Sequence, residues 1–152
     1  MKNRLVILGK APVAGKNGVD AHDDWPGCEV WTVGTAKIGG ADRYYEFHGL
    51  EYRGRAMWTK ISGKAQFLST LLPLNNSVCA MLAEAWAENY TDITLAGCPM
   101  STQQEYIEQK PAVGMMIGFL RGIGYAQPHK GMVIRWLEEP ERKDYYLQHI
   151  KK

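Results

Sequence analysis

Glycines and lysines crowd the segment LGKAPVAGKNG, residues 8–18, the first place where the chain offers chemistry. Glycine lets a backbone approach a phosphate closely, and lysine neutralises a diphosphate as a point charge. A P-loop has four residues between its glycines and a serine or threonine after its lysine, whereas this segment has five residues and an asparagine. It therefore predicts a strand-ending turn or a general ligand loop, and not an ATPase or kinase P-loop. The ligand contacts expected in it are Gly9, Lys10, Pro12 and Lys16.

A second set of reactive side chains lies in DRYYEFH, residues 42–48. In an extended strand every second side chain shares a face, so Glu46 and His48 are expected to point to one side. That pair can run acid–base chemistry, with either residue as the base. Alternatively, Arg43 and His48 can hold a phosphate. A third interpretation is a polar strand end at the surface without any catalytic role.

Asn76 and Ser77 stand where an amphipathic helix is predicted to begin. The first N–H groups of a helix have no partner inside it, and the helix dipole favours an anion there. A phosphate could therefore bind at this point without any additional charge. The alternative is that these side chains only cap the helix.

Three other residue groups carry weaker signals. Tyr106 follows a predicted strand-end loop and can either donate its hydroxyl to a phosphate or pack under the next helix. Cys98 follows a strand but has no histidine near it in sequence, so we do not expect a nucleophile. His22, Asp23 and Asp24 lack a third ligand at a recognisable spacing, so no metal site is predicted.

Short apolar runs that end in glycine predict the strands that position these residues. The predicted strands cover residues 5–8, 29–33, 44–47 and 91–97, with further candidates at 64–70, 123–127 and 132–136. Helical spacing of apolar residues predicts helices over residues 75–90 and 111–122.

This order of elements predicts an α/β fold: a single Rossmann-like domain over residues 1–152, with a mostly parallel twisted sheet flanked by helices. Its core is expected over residues 4–136, and a polar tail over 137–152. Ligands of such sheets bind at the carboxyl ends of the strands. Gly34 and Thr35, which follow the second strand, therefore join the expected ligand contacts.

Composition excludes several classes of protein. The chain has 152 residues, 45% of them hydrophobic, and a net charge of +2, which is too small to indicate binding to nucleic acids or membrane surfaces. It has no apolar run long enough to span a membrane, and its N-terminal apolar stretch is too short for a signal peptide. Three cysteines without a paired spacing predict free thiols in the cytoplasm. A homo-oligomer built on exposed tryptophans stays open.

Taken in order, these motifs resemble the MptE-like Rossmann-like proteins, also called pterin diphosphokinase-like or DUF115 proteins, many of which are small and phage-encoded. Bacterial sialyltransferases of the Campylobacter type share the core pattern. The resemblance covers most of residues 4–128. It rests on LGKAP at 8–12, EVWTVGTA at 29–36, DRYYEFH at 42–48, the helix and strand at 75–99, and YIEQKP at 106–111.

The resemblance implies a nucleotide or nucleotide-linked ligand across the strand ends. Its phosphates would meet the first loop and the helix start at Asn76 and Ser77, with Tyr106 as a further phosphate contact. The protein would be either a transferase-like enzyme acting on a nucleotide sugar or diphosphate, or a non-catalytic phage protein that sequesters a nucleotide, including a cyclic one, in the host cytoplasm. The acidic residue that the resemblance implies after Gly97 is missing, since the chain reads Gly97-Cys98-Pro99, so the binding scaffold is better kept than the catalytic groups. No cofactor other than the nucleotide is implied.

Overall fold

Five short strands form one parallel sheet in the computed structural model. The structure describes residues 4–9, 20–34, 36, 38–49, 54–98, 104–126 and 132–137. Within these ranges, the side chains of residues 104–107, 124–126 and 137 are not described. The strands are β1 (Arg4–Leu8), β2 (Glu29–Val33), β3 (Arg43–Tyr45), β4 (Asp92–Ala96) and β5 (Val133–Leu137). Their order across the sheet is β3-β2-β1-β4-β5, and every neighbouring pair is parallel. The predicted α/β, Rossmann-like fold class is confirmed. The expected tail lies outside the described residues, apart from its first residue, which ends β5.

The helices are α1 (Ala21–Asp24), α2 (Gly63–Phe67) with a 3-10 turn (Leu68–Thr70), α3 (Ser77–Ala87) and α4 (Gln104–Ala126). Buried residues of α2, α3 and α4 share one core cluster, whereas α1 belongs to a second cluster on the other face. The right-handed rule for parallel crossovers explains this division. The connections from β3 to β4 and from β4 to β5 advance in one direction across the sheet, and the connection from β1 to β2 advances in the other.

Strand β1 lies at the centre of the sheet and is buried on both faces. Leu5 and Ile7 face the cluster that contains the long helices, while Val6 and Leu8 face the cluster that contains α1. None of the four is more than 1% exposed. A continuous apolar run is what a central parallel strand requires, which is why the sequence pattern identified it.

Three elements differ from the sequence predictions. The segment 64–70 is helical rather than a strand, because Ser62 caps α2: its Oγ accepts the N–H of Ala65 at 3.2 Å. Residues 123–126 continue α4 instead of starting a strand, so the glycines at 122 and 124 do not stop the helix. Helix α4 also begins at Gln104, seven residues before Pro111, which lies inside it.

The carboxyl ends of β1 and β4 touch at two glycines. The N–H of Gly9 donates to the carbonyl of Ala96 at 2.9 Å, and a Cβ added to Gly9 would lie 2.1 Å from the carbonyl oxygen of Gly97. The contact therefore requires glycine at position 9. Here the chain leaves β1 towards β2 and leaves β4 towards β5, so this is the switch point of the sheet.

Among the helices that the structure describes, none is long and apolar enough to cross a membrane.

Candidate functional site

A cleft of about 430 Å³ opens beside the carboxyl end of β3. The residues just past β3, the segment that leads into α2, and the start of α3 form its wall. They are Phe47, His48, residues 59–61, Gln66, residues 74–77 and Ala80. The cleft thus brings together three residues that the sequence singled out from two distant segments: His48, Asn76 and Ser77.

The start of α3 combines a side-chain cap with free backbone donors. Asn76 is the N-cap, and its Oδ1 accepts the N–H of Cys79 at 2.9 Å. Its Nδ2 donates to Asn75 Oδ1, also at 2.9 Å. Within the described part of the chain, the N–H groups of Ser77 and Val78 have no hydrogen-bond acceptor. The predicted cap is therefore confirmed, and two N–H donors stay available for an anion beside it.

Glu46 supports the backbone that leads into the cleft. It is 6% exposed, and its Oε1 accepts the backbone N–H of His48 at 2.6 Å. Gly34 packs against it, because a Cβ added to Gly34 would lie 3.1 Å from Glu46 Cβ. Among the described contacts, none joins the Glu46 carboxylate to the His48 imidazole. The contact that the structure does show is between side chain and backbone, and the acid–base role of this pair stays a prediction.

Arg43 lies at the other end of β3 and does not line the cleft. Its guanidinium forms a two-pronged ion pair with Glu88, one prong of which measures 2.8 Å, and donates to the Tyr45 hydroxyl at 3.0 Å. Burial lowers the pKa of Arg43, but its hydrogen bonds to Glu88 and Tyr45 hold that pKa above its ordinary value. The structure therefore does not bring Arg43 to His48, as a shared phosphate site would require.

Two more residues complete a polar network around Arg43. We call this network the amino-edge cluster, and it consists of Glu29, Arg43, Tyr45, Glu88 and Tyr90. The Tyr90 hydroxyl donates to Glu29, whose other carboxylate oxygen lies 3.7 Å from Arg43 Nε. Burial raises the pKa of Tyr45 to about 12 and, with the Glu29 hydrogen bond, also raises the pKa of Tyr90. The cluster ties β2 and β3 to the end of α3, which is a structural role.

The remaining predicted contacts fall in three groups. Gly9 and Gly34 lie at the carboxyl edge, where the N–H of Gly34 donates to the Tyr45 carbonyl at 2.7 Å. Tyr106 lies in the first turn of α4, and its side chain is not described. The others lie outside the described residues: Lys10, Pro12, Lys16 and Thr35.

Buried thiols at the edge of the sheet are poor nucleophiles. Cys98, next to the Gly9 contact, is 5% exposed, and burial raises its pKa to about 12. Burial likewise raises the pKa of Cys79 to about 11. Both thiols are therefore protonated near neutral pH.

Among the described residues, no three histidine, cysteine or acidic side chains come together to hold a metal ion. His22 pairs with Asp42 at 3.1 Å.

Sequence reasoning missed two residues that give the cleft its chemistry. Phe47 supplies an aromatic wall, and its ring stacks on Tyr45 with 5.7 Å between ring centroids and 25° between ring planes. Lys60 supplies an ammonium that has no ion-pair partner among the described residues. The predicted strand over residues 44–47 included Phe47 without giving it a role in a site, and the segment before α2 carries no pattern that could have identified Lys60.

The cleft therefore has an apolar side and a polar side. Phe47, Ile61 and Leu74 can pack against a flat or aliphatic group, while Lys60 and the start of α3 can bind an anion.

Comparisons of the chain with family models, with curated proteins and with solved structures give no match. The resemblance to MptE-like proteins stays a prediction.

Proposed function

We propose that the chain binds a nucleotide, or a small molecule linked to one, in the cleft at the carboxyl end of β3. The observation that carries this proposal is the meeting of an aromatic wall, a lysine and a helix start in one cleft of about 430 Å³. A nucleotide needs the same three things: a surface for its flat base, a cation, and backbone donors for its phosphate. The cleft lies at the carboxyl edge of the sheet, where parallel sheets bind ligands, but beside the edge strand β3 and not at the switch point between β1 and β4.

The polar side of the cleft suits a phosphate. The N–H groups of Ser77 and Val78 have no acceptor among the described residues, and they lie at the positive end of the α3 dipole. Lys60 adds a full positive charge on the same wall. An anion placed here would satisfy donors that the folded chain leaves without partners.

Binding without turnover has the better support of the two roles considered for such a ligand. The carboxylate of Glu46 is buried and accepts the backbone N–H of His48, so it is committed to holding the backbone. His48 is the residue on the cleft wall that could serve as a general base, and its position keeps a transferase-like activity as the second candidate. A sequestering protein needs only the cleft itself.

The test is a titration of the purified chain with nucleotides, nucleotide sugars and cyclic nucleotides, followed by calorimetry and by chromatography of the recovered ligand. We expect saturable binding of at least one ligand, which is recovered intact. A consumed ligand would establish the transferase-like alternative instead. If no ligand of the panel binds, the proposal is wrong.

Two variants of one residue locate the phosphate. Ser77→Pro removes a backbone N–H at the first helical position, where proline is tolerated, and Asn76 already has the extended conformation (φ −155°, ψ 163°) that precedes proline. Ser77→Ala keeps the N–H and removes only the hydroxyl. We expect Ser77→Pro to weaken binding about tenfold and Ser77→Ala to weaken it less, with similar melting temperatures. Wild-type affinity in Ser77→Pro would place the phosphate elsewhere.

A further inference from the structure

The cleft carries little positive charge. Among the eleven described residues of its wall, Lys60 supplies the one ammonium, and none is an arginine, aspartate or glutamate. The start of α3 adds the equivalent of about half a positive charge. His48 contributes a further charge only when its imidazole is protonated. The fixed charge of the cleft is therefore about +1.5, which is the sum of the lysine and the helix end.

Some polar groups of the cleft wall already have a partner, and others do not. The side-chain amides of Asn76 and Gln66 already donate to Asn75 Oδ1 and to the carbonyl of Ile61. The N–H and hydroxyl of Ser77 and the ammonium of Lys60 have no such partner among the described residues. Together with the N–H of Val78, the two donors of Ser77 lie on adjacent residues at the start of α3, so they can meet the terminal oxygens of one phosphate group.

Charge and size lead to the same ligand class. A phosphate monoester carries about −1.5 to −2 at neutral pH, which is close to the fixed charge of the cleft. Each further phosphate would add negative charge that no group of the described wall balances. The volume of about 430 Å³ also lies near the lower end of the range of small-molecule sites. We infer that the cleft prefers a nucleoside 5′-monophosphate to the di- and triphosphates of the same nucleoside, an inference that rests on the proposed function.

The experiment is a calorimetric series without divalent cations, since these would neutralise the longer phosphates. Each of the four ribonucleosides is titrated as the free nucleoside and as its 5′-mono-, di- and triphosphate. For the base that binds, we expect the monophosphate to bind about tenfold more tightly than both the free nucleoside and the triphosphate.

A matched pair of lysine variants tests the origin of the preference. Lys60→Gln is expected to bring the affinity for the monophosphate close to that for the free nucleoside. Lys64→Gln is the control: the Lys64 ammonium lies 5.1 Å from the Trp86 ring, away from the cleft wall, so both affinities should match wild type. Equal effects of the two variants would contradict the inference.

The outcomes separate this inference from the proposed function. If the triphosphate binds as tightly as the monophosphate or more tightly, the single-phosphate preference is wrong, while nucleotide binding stands. If no member of the series binds at millimolar concentration, the single-phosphate inference fails, while the proposed function fails only if the nucleotide sugars and cyclic nucleotides do not bind either.

Discussion

The two ends of strand β3 use their polar residues in opposite ways. At the amino end, Arg43 is 8% exposed and bonded to Glu88 and to Tyr45. Past the carboxyl end, His48 is exposed and lines a cleft together with Lys60, whose ammonium has no ion-pair partner among the described residues. Arg43 and His48 both belong to the segment 42–48, and the phosphate interpretation of that segment used the two residues together.

The direction of α3 explains the difference. Helix and sheet run antiparallel, so the end of α3 brings the carboxylate of Glu88 to the amino edge, and its start brings N–H groups to the carboxyl edge. A basic residue at the amino edge meets a protein carboxylate, whereas donors at the carboxyl edge meet solvent or a ligand. The direction of α3 therefore explains why Arg43 meets a protein carboxylate and His48 does not.

The largest effect is expected when the amino-edge cluster is broken. Arg43→Met leaves the carboxylates of Glu88 and Glu29 without their cation in a largely buried setting, which should lower the free energy of unfolding by about 3 kcal/mol. Urea denaturation measures this loss. Arg135→Met is the control, because the Arg135 side chain is 51% exposed in its ion pair with Asp92, and should cost less than about 1 kcal/mol. Equal losses would mean that the cluster is no stronger than a surface pair.

The next effect concerns the carboxyl edge at the switch point. Gly9→Ala places a methyl group 2.1 Å from the carbonyl oxygen of Gly97, so the ends of β1 and β4 must separate. We expect a loss of about 2 kcal/mol in thermal or urea unfolding. Gly63→Ala, whose added Cβ meets no atom within 4 Å, should change stability by less than about 0.5 kcal/mol. A neutral Gly9→Ala would show that this edge is loosely packed even away from the cleft.

The Cys98 thiol lies at the carboxyl edge of the sheet but is buried, and its effect on the pH dependence of stability tests that burial. Its thiol has a pKa of about 12 in the folded chain against an ordinary value of 9.0. The stabilising contribution is complete below pH 9 and is lost as pH rises towards 12, since the unfolded chain gives up a proton that the folded chain keeps. Between pH 8 and pH 10, wild type should lose about 1 kcal/mol more than Cys98→Ala in urea denaturation. If the free energies of unfolding of wild type and Cys98→Ala changed equally with pH, the Cys98 thiol would not be buried.

The smallest effect is expected at the helix start that forms the cleft. Asn76→Ala removes the N-cap of α3 and should cost about 0.8 kcal/mol. Asn75→Ala, one residue earlier, keeps the cap and should cost less than that. Because the N–H of Ser77 is retained in both variants, ligand affinity should fall less than in Ser77→Pro. If Asn76→Ala lowered the free energy of unfolding by more than Arg43→Met does, the carboxyl edge would contribute more to stability than the amino-edge cluster.

Local patterns were sufficient to predict most of the sheet. The run EVWTV predicted β2 with its observed bounds, because it is rich in β-branched and aromatic residues and is followed by Gly34. The start of α3 was equally visible, since Asn76 precedes an amphipathic repeat. Helix α2 was missed because it is five residues long, too short to show a helical period, and is fixed by Ser62 and by Glu84, which accepts the N–H of Ser62 at 2.6 Å.

The composition of the site could be predicted only where it followed from strand direction. His48, Asn76 and Ser77 all follow or precede elements at the carboxyl edge, and the structure places them in one cleft. The contact of Arg43 with Glu88 could not be predicted, because the two residues lie 45 apart in the sequence and no local pattern reports such a contact. Lys60 was missed because its position also depends on a contact between distant residues. Its segment runs beside β3, where the N–H of Trp58 donates to the carbonyl of Tyr44 at 2.7 Å.

The neighbours of β1 set the order in which the nascent chain can fold. On one side β1 pairs with β2, which begins at Glu29, but on the other it pairs with β4, which begins only at Asp92. At ribosomal rates, about 80 residues of synthesis take on the order of ten seconds. During that interval the most apolar strand of the sheet has an open backbone edge that can pair with another chain. Slower translation between β1 and β4 is therefore expected to lower the yield of folded protein.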